Sequence, residues 1–212
     1  MPPASPRFQP RSRLYAIVDT GYVSDAGAES ATRALLDGGA GVVQLRAKNR
    51  DEQAVRDLGR RLLPLCRAAG VPFIVNDFPV IAAELGADGV HIGQDDGNHT
   101  ATRAIVGPEA IIGRSTHSLD QAIQAGDEGF DYIGFGPLFP TGTKPGRPAI
   151  GLAHIAAAVA RVPCPVFCIG GINPQSLPSV LAAGSTHVVM VSALLQAADI
   201  TAATRAALVA LG

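Results

Sequence analysis

The chain has 212 residues, 47% of them hydrophobic and 17% charged, and its seventeen basic and eighteen acidic side chains leave a formal net charge of −1. That is about one domain to one and a half, with enough apolar residues for a full core, which excludes a disordered chain. The balanced charge argues against nucleic-acid binding through a bulk positive field, and no apolar run approaches the ~20 residues of a membrane-spanning helix.

Residues 1–13 hold four prolines and three arginines and no acidic residue. They lack the apolar segment of a secretory signal and read as a flexible arm, with a docking arm as the alternative. From Leu14 onward, short apolar runs alternate with alanine- and leucine-rich stretches at helical spacing. The runs are 14–19, 41–47, 72–77, 89–94, 111–115, 132–137, 166–171 and 187–193. The first helical stretch, 28–36, closes on Gly38 and Gly39. The second, 51–69, sets Val55, Leu58, Leu62, Leu65 and Ala69 on one stripe, and Pro64 inside it predicts a kink or an early end. Pro79 and Pro174 fall where first-turn prolines belong. Ser118 to Gln121 reads as a capping box, and Gly184 as a helix C-cap.

Eight strand–helix units in unbroken alternation predict an α/β protein with a parallel sheet. The near-continuous apolar runs fit strands covered on both faces. No glycine fingerprint of the dinucleotide-binding type follows the first run, where Asp19, Thr20 and Gly21 stand instead. Eight units without a midpoint break favour a single (β/α)8 TIM barrel over 14–212, rather than an open doubly wound sheet. Its loops must be short, because that fold typically takes about 250 residues.

In such a barrel, chemistry sits at the C-terminal ends of the strands, and polar residues gather there. In the second run Gln44, Arg46 and Lys48 share one face, while Val43, Leu45 and Ala47 share the other. Two cations and an amide at the mouth suit a pyrophosphate; the competing reading is a solvated strand end paired with Asp51 or Glu52. The chain has fifteen arginines but only two lysines, Lys48 and Lys144, a hint that both serve as compact point charges. The third and fourth runs end in Asn76-Asp77 and Gln94-Asp95-Asp96. Carboxylates on successive strand ends can hold one hard cation such as Mg2+, against the simpler role of capping the next helix.

The segment 134–147 is the longest loop, and its Thr141, Thr143, Lys144 and free amides make an anion cradle. It lacks the Walker pattern. Gly170-Gly171 and Val191-Ser192 stand at the ends of the seventh and eighth runs, and the loops after them are the usual phosphate site of this barrel. Two anion sites are therefore expected, a monophosphate and a metal-bound pyrophosphate. Ser115 ends the fifth run without a readable Ser-His-Asp pattern, and His91 and His117 read as hydrogen-bonded interior residues. Cys66, Cys164 and Cys168 cannot form a disulfide framework or a four-cysteine zinc site and fit a reducing cytoplasm. Cys164 and Cys168 are expected in the core.

Taken in order, Gln-Leu-Arg-Ala-Lys (44–48), Asn-Asp (76–77), Gly-Val-His-Ile-Gly-Gln-Asp-Asp (89–96), Ser-Thr-His (115–117), the Gly-Pro-Leu-Phe-Pro-Thr-Gly-Thr-Lys loop (136–144), Ile-Gly-Gly-Ile (169–172) and Val-Ser-Ala (191–193) resemble the thiamine-phosphate synthase family. The resemblance spans nearly all the chain from about residue 14. It implies a (β/α)8 transferase of thiamine biosynthesis. Such an enzyme joins 4-amino-5-hydroxymethyl-2-methylpyrimidine pyrophosphate to 4-methyl-5-(2-phosphoethyl)thiazole and releases pyrophosphate through a dissociative, carbocation-forming step. By the same resemblance Gln44, Arg46, Lys48 and Asn76 bind the pyrimidine pyrophosphate, and Asp77 and Asp96 hold Mg2+. Ser115 and Lys144 contact the departing pyrophosphate as the catalytic pair. Thr141, Thr143, Gly171, Val191 and Ser192 receive the thiazole phosphate. The expected partners are these small molecules, with neither nucleic acid nor membrane; assembly of several copies is compatible with the sequence.

Two positions depart from the family pattern. Arg114 precedes Ser-Thr-His where a small aliphatic residue is common, and Phe78 follows Asn-Asp where a charged one is common. The arginine is reminiscent of the related thiazole tautomerase branch, the alternative reading. That branch tends to lack the Gln-Arg-Lys triplet and the aspartate pair, both intact in this chain. A third reading, a non-catalytic phosphate-ligand sensor, is disfavoured by the same aspartates. Strand alternation turns Arg114 away from Ser115, so it is expected at the outer rim, paired with an acidic residue.

Overall fold

The apolar runs become strands and the alanine- and leucine-rich stretches become helices, in the order the sequence sets. The structure is a computed structural model that describes residues 8–141 and 148–212. Among them, β1 (Leu14–Asp19), α1 (Ala28–Asp37), β2 (Val42–Arg46), α2 (Glu52–Ala69), β3 (Phe73–Asn76), α3 (Pro79–Leu85), β4 (Gly89–Ile92) and α4 (His99–Val106) form the first half. The second half holds β5 (Ile111–Thr116), α5 (Leu119–Asp127), β6 (Tyr132–Phe135), α6 (Ile155–Arg161), β7 (Val166–Cys168), α7 (Leu177–Ala182) and β8 (His187–Met190), then α8 (Ser192–Leu195) and α9 (Ile200–Leu211). Each strand pairs in parallel with its sequence neighbour, and β8 returns to β1, so the sheet closes into an eight-stranded barrel. The TIM barrel read from the sequence is the observed fold.

Alternation divides every strand between two environments. In β1, Leu14, Ala16 and Val18 are buried against the helical layer, while Tyr15 and Ile17 line the interior cavity. Tyr15, Tyr132 and Phe167 pack inside the barrel with ring centroids 5.2–5.6 Å apart. Residues 8–13, which the sequence assigns to the arm, lie against this end of the barrel. The Phe8 ring is buried 5.5 Å from that of Tyr132. Arg11 donates to the carbonyls of Ala69 and Gly70, Arg13 donates to that of Leu211, and the Arg13 carbonyl accepts from the Val188 amide. Burying one phenylalanine stabilises by ~1.5–3 kcal/mol, which together with these hydrogen bonds offsets part of the entropy lost on ordering the segment.

Asp51, Asn98, Ser118 and Asp199 cap α2, α4, α5 and α9 by accepting a backbone N–H of the first turn. In the expected capping box, Gln121 reaches back to the amide of His117 rather than that of Ser118. Of the kink or early end expected at Pro64, the early end does not occur: α2 runs on to Ala69, and both Pro64 and Arg60, whose carbonyl loses its helical partner, are exposed, so water can take that carbonyl. A second expectation is corrected. Pro174 lies in the turn ahead of α7, and the first-turn proline there is Pro178. Gly184, at φ 99°, closes α7 by donating to the Leu181 carbonyl. Among the described residues no helix is long and apolar enough to cross a membrane.

Candidate active site at the barrel mouth

The inward faces of the strand ends supply the polar residues. Gln44 and Arg46 line the cavity together with Asn76 and Ser115. Arg46 Nη1 lies 2.6 Å from Oδ2 of Asp19, a residue only 2% exposed. The sequence reading passed over Asp19; its parity with Tyr15 and Ile17 was the available signal. Asp19 Oδ1 also accepts from the Gly21 amide at 2.8 Å, which folds the β1 loop under the acid. Lys48 stands at the rim, with Nζ 3.0 Å from Oδ2 of Asp77. Neither cation pairs with the acids suggested by the competing reading: Asp51 caps α2 and Glu52 meets Arg56.

Asp77 has φ 66°, the one positive value among the described non-glycine residues. The left-handed region disfavours L-residues, although aspartate tolerates it better than most. Burial pushes the Asp77 carboxyl above the usual range; Lys48 pulls it down and the adjacent Asp96 carboxylate pushes it up. Asp96 folds back to accept from the Gly93 amide at 2.7 Å. Neither aspartate caps a helix, since Asn98 takes that role for α4 and α3 starts after Phe78 without a side-chain cap. Among the described residues no third histidine, cysteine or acid joins them. Two adjacent carboxylates at an open mouth fit a Mg2+ site completed by water and phosphate oxygens.

Arg114 faces outward, as alternation requires, but its partner is not an acid. Its Nη1 donates to the carbonyls of Gly93 (2.9 Å) and Gly97 (2.7 Å), and Nη2 to that of Gln94 (3.2 Å). The guanidinium lies over the Phe130 ring. A planar fork satisfies several converging carbonyls as readily as one carboxylate.

On the opposite side of the cavity Thr141, Gly171, Val191 and Ser192 come together. Thr141, Gly171 and Ser192 continue into a shallow groove beside Asn173 and Gln196. Gly171 is required there: its φ is 68°, and a Cβ would sit 2.7 Å from that of Phe139 and 2.9 Å from the Pro140 carbonyl oxygen. Thr143 and Lys144 lie outside the described residues.

Deeper in the barrel the rings make a hydrogen-bonded file. Gln44 Nε2 donates to the Tyr15 hydroxyl (2.8 Å), which meets the Tyr132 hydroxyl (2.8 Å). The Tyr132 oxygen lies 3.0 Å from Nδ1 of His91, and His91 Nε2 lies 2.9 Å from Ser115 Oγ. Burial drives both phenols well above their ordinary range, so both are neutral. His91 is the interior residue expected of it, while His117 meets the Gly136 carbonyl at the cavity wall. The Ser115–His91 contact was invisible in sequence because the two belong to separate strands. Cys66 and Cys168 are buried and Cys164 half-buried, and burial pushes their thiols up to about 12, 11 and 12 respectively. None is a ready nucleophile.

The family model described as thiamine monophosphate synthase matches residues 14–194. The chain belongs to that family. The thiamine-phosphate synthase of Thermus thermophilus is 45% identical over 197 residues, covering 92% of this chain and 94% of its own. That of Methylococcus capsulatus is 43% identical over 197 residues, covering 92% and 88%. Among solved structures, the thiamine phosphate pyrophosphorylase from Pyrococcus furiosus superposes with a TM-score of 0.84 at 32% identity, over 94% of this chain and 95% of that one.

Proposed function

We propose that this transferase joins hydroxymethylpyrimidine pyrophosphate to the thiazole phosphate, giving thiamine phosphate and pyrophosphate. The observation that carries the reading is the arrangement of one cavity. Arg46 lines it from the end of β2 and the Thr141–Gly171–Ser192 cradle from the loops after β6, β7 and β8, while Lys48 and the Asp77–Asp96 pair stand at the strand ends beyond Arg46 and Asn76. Two anionic substrates can thus face each other across the mouth.

Gln44 and Asn76 would orient the pyrimidine, and Arg46 and Lys48 its pyrophosphate. Asp77 and Asp96 would hold Mg2+, which when bound neutralises charge on the leaving group. The methylene C–O bond breaks with its electron pair leaving on pyrophosphate, and the thiazole nitrogen lone pair forms the new C–N bond to the resulting cation. No protein nucleophile is needed; positioning and charge stabilisation suffice. Ser115 would donate to the departing oxygen, and by resemblance Lys144 would join it. Val191, Ser192, Gly171, Thr141 and, by resemblance, Thr143 would hold the thiazole phosphate. The described cysteines are all free, which agrees with a cytoplasmic location.

The test is product chromatography with both substrates and Mg2+. Formation of thiamine phosphate with stoichiometric pyrophosphate is the expected result. Turnover of a thiazole tautomer without pyrophosphate release would move the chain to the tautomerase branch, and binding of either phosphate without turnover would make it a sensor.

A further inference from the structure

The Phe8 ring lies at the end of the barrel away from the mouth, where Tyr132 begins β6. Its centroid is 5.5 Å from that of Tyr132, the rings are tilted by 49°, and only 3% of Phe8 is exposed. Gly113 stands opposite Tyr132 in the register of β5 against β6, and a Cβ on it would strike the Tyr132 ring. The ring takes the space that the missing side chain leaves, and its hydroxyl meets that of Tyr15 on β1 at 2.8 Å. The Tyr15 oxygen accepts from Gln44 Nε2, also at 2.8 Å. Gln44, Tyr15 and Tyr132 line the cavity, whereas Phe8 packs behind them. One apolar ring outside the cavity thus backs a chain of contacts that ends on the amide proposed above to orient the pyrimidine.

The segment that delivers this ring has anchors of its own. Arg11 donates to the Ala69 and Gly70 carbonyls at the end of α2, Ser12 Oγ to that of Gly39 just after α1, and Arg13 to that of Leu211 at the end of α9. The Arg13 carbonyl accepts from the Val188 amide of β8. Donors, two of them cationic, suit these places, because the last carbonyls of a helix lack helical partners and carry partial negative charge. None of these bonds uses the Phe8 side chain, so trimming the ring tests the ring and not the attachment of the segment. Loss of water around them is what lifts both phenols above their ordinary range. Water admitted at this end would offer the two hydroxyls other partners.

We propose that Phe8 is a positioning residue: it seals the far end of the barrel against water, holds the Tyr132 ring, and through Tyr132 and Tyr15 sets the Gln44 amide for the pyrimidine. This rests on the reading that Gln44 meets the pyrimidine while Arg46 and Lys48 meet its pyrophosphate. The consequence is selective. Trimming Phe8 is felt by the ring of that substrate and not by its phosphates.

The experiment is calorimetry on the full-length parent, Phe8→Ala and Phe8→Leu, with Mg2+ present and two ligands: hydroxymethylpyrimidine pyrophosphate and inorganic pyrophosphate. Phe8→Ala should weaken the first by about tenfold, the worth of one misplaced hydrogen bond, and leave the second unchanged. Phe8→Leu refills part of the space and should show a smaller loss of the same selectivity; it carries the test if Phe8→Ala does not fold. A second readout needs no ligand. An ordinary tyrosine ionises near pH 10, so ultraviolet titration from pH 9 to 11 should show more phenolate in Phe8→Ala than in the parent. Adding Tyr132→Phe to Phe8→Ala should remove that excess. Parental affinity for both ligands overturns the proposal. So does an equal loss for both, which general loosening of the barrel would give, and so does a tyrosine titration identical to the parent's. A parent that binds inorganic pyrophosphate but not the pyrimidine pyrophosphate overturns the reading of Gln44, and the proposal with it. A parent that binds both beside a Phe8→Ala that binds both equally well overturns the proposal alone.

Discussion

The Lys48 ammonium lies 3.0 Å from Oδ2 of Asp77, joining the segments that follow the neighbouring strands β2 and β3 at the rim of the barrel mouth. That contact offsets part of a strain built into the site, because Asp77 is largely buried and faces the Asp96 carboxylate. Two like charges so close resist joint ionisation, and a divalent cation relieves the repulsion.

Asp77→Asn and Asp96→Asn should therefore each lower turnover on the order of a hundredfold, or ~2.7 kcal/mol of barrier, with the barrel intact. Asparagine keeps the tolerance of the left-handed backbone that residue 77 needs. Asp77→Asn should also melt at the same temperature as the parent or higher, since the repulsion is gone and half-exposed Lys48 can turn to water. Steady-state kinetics and thermal melts check this. Full activity in excess chelator would remove the metal from the scheme.

Lys48→Arg changes the site although charge is conserved. A guanidinium can engage the Asp77 carboxylate with two parallel hydrogen bonds where the ammonium makes a point contact. It would compete with the cation for that carboxylate. The KM for the pyrimidine pyrophosphate should rise several-fold, with the thiazole phosphate KM unchanged. Parental kinetics for both substrates would show that the scarcity of lysine in this chain carries no functional information.

Arg114 meets backbone carbonyls in place of the acid expected at the outer rim. It gathers the carbonyls of Gly93, Gln94 and Gly97, and the loop they belong to carries Asp96. Arg114→Met should loosen that loop and raise the Mg2+ concentration for half-maximal activity by about tenfold, with the thiazole phosphate KM unchanged; hydrogen bonds to a charged donor are each worth ~1.5–3 kcal/mol. A Mg2+ titration measures it directly. An unchanged Mg2+ requirement would make the arginine purely structural.

What the sequence disclosed follows from periodicity. The barrel was legible because strand alternation and helical spacing are local, and Gln44, Arg46 and Asn76 share a cavity because parity fixes their faces. Partners were less legible. That Arg46 meets Asp19 depends on the register of β1 against β2, and that Ser115 meets His91 depends on β4 against β5. Arg114 shows the same limit: alternation gave its face, while its carbonyl partners depend on how a neighbouring loop curls. Phe8 escaped because proline and arginine around it hide one ring that finds a place in the barrel.

The thiazole side offers a backbone test. Gly171→Ala forces a side chain into positive φ and within 3 Å of the Phe139 and Pro140 atoms. Strain of this kind costs ~1–3 kcal/mol, and the segment before Pro140 must shift to accommodate it. The variant should lose stability of that order and raise the thiazole phosphate KM more than the pyrimidine pyrophosphate KM. Equal effects on both would place Gly171 outside the cradle.

The opposite end of the barrel should govern acid stability. His187 begins β8 with its ring centroid 5.0 Å from that of Phe167 and Nδ1 3.0 Å from the Thr186 hydroxyl. Burial lowers its pKa, and the nearby Arg13 lowers it further by disfavouring a second positive charge. The unfolded chain keeps the ordinary value of about 6.5, so between the lowered pKa and that value the unfolded state binds more protons than the folded one. Stability then rises with pH through this window and is lost as pH falls through it. His187→Gln removes the titration while keeping a polar group near Thr186. Urea midpoints measured from pH 5 to 7 should fall with acid in the parent and fall less in the variant, although the variant loses some packing at pH 7. Parallel slopes in the two proteins would show that the acid sensitivity arises elsewhere in the fold.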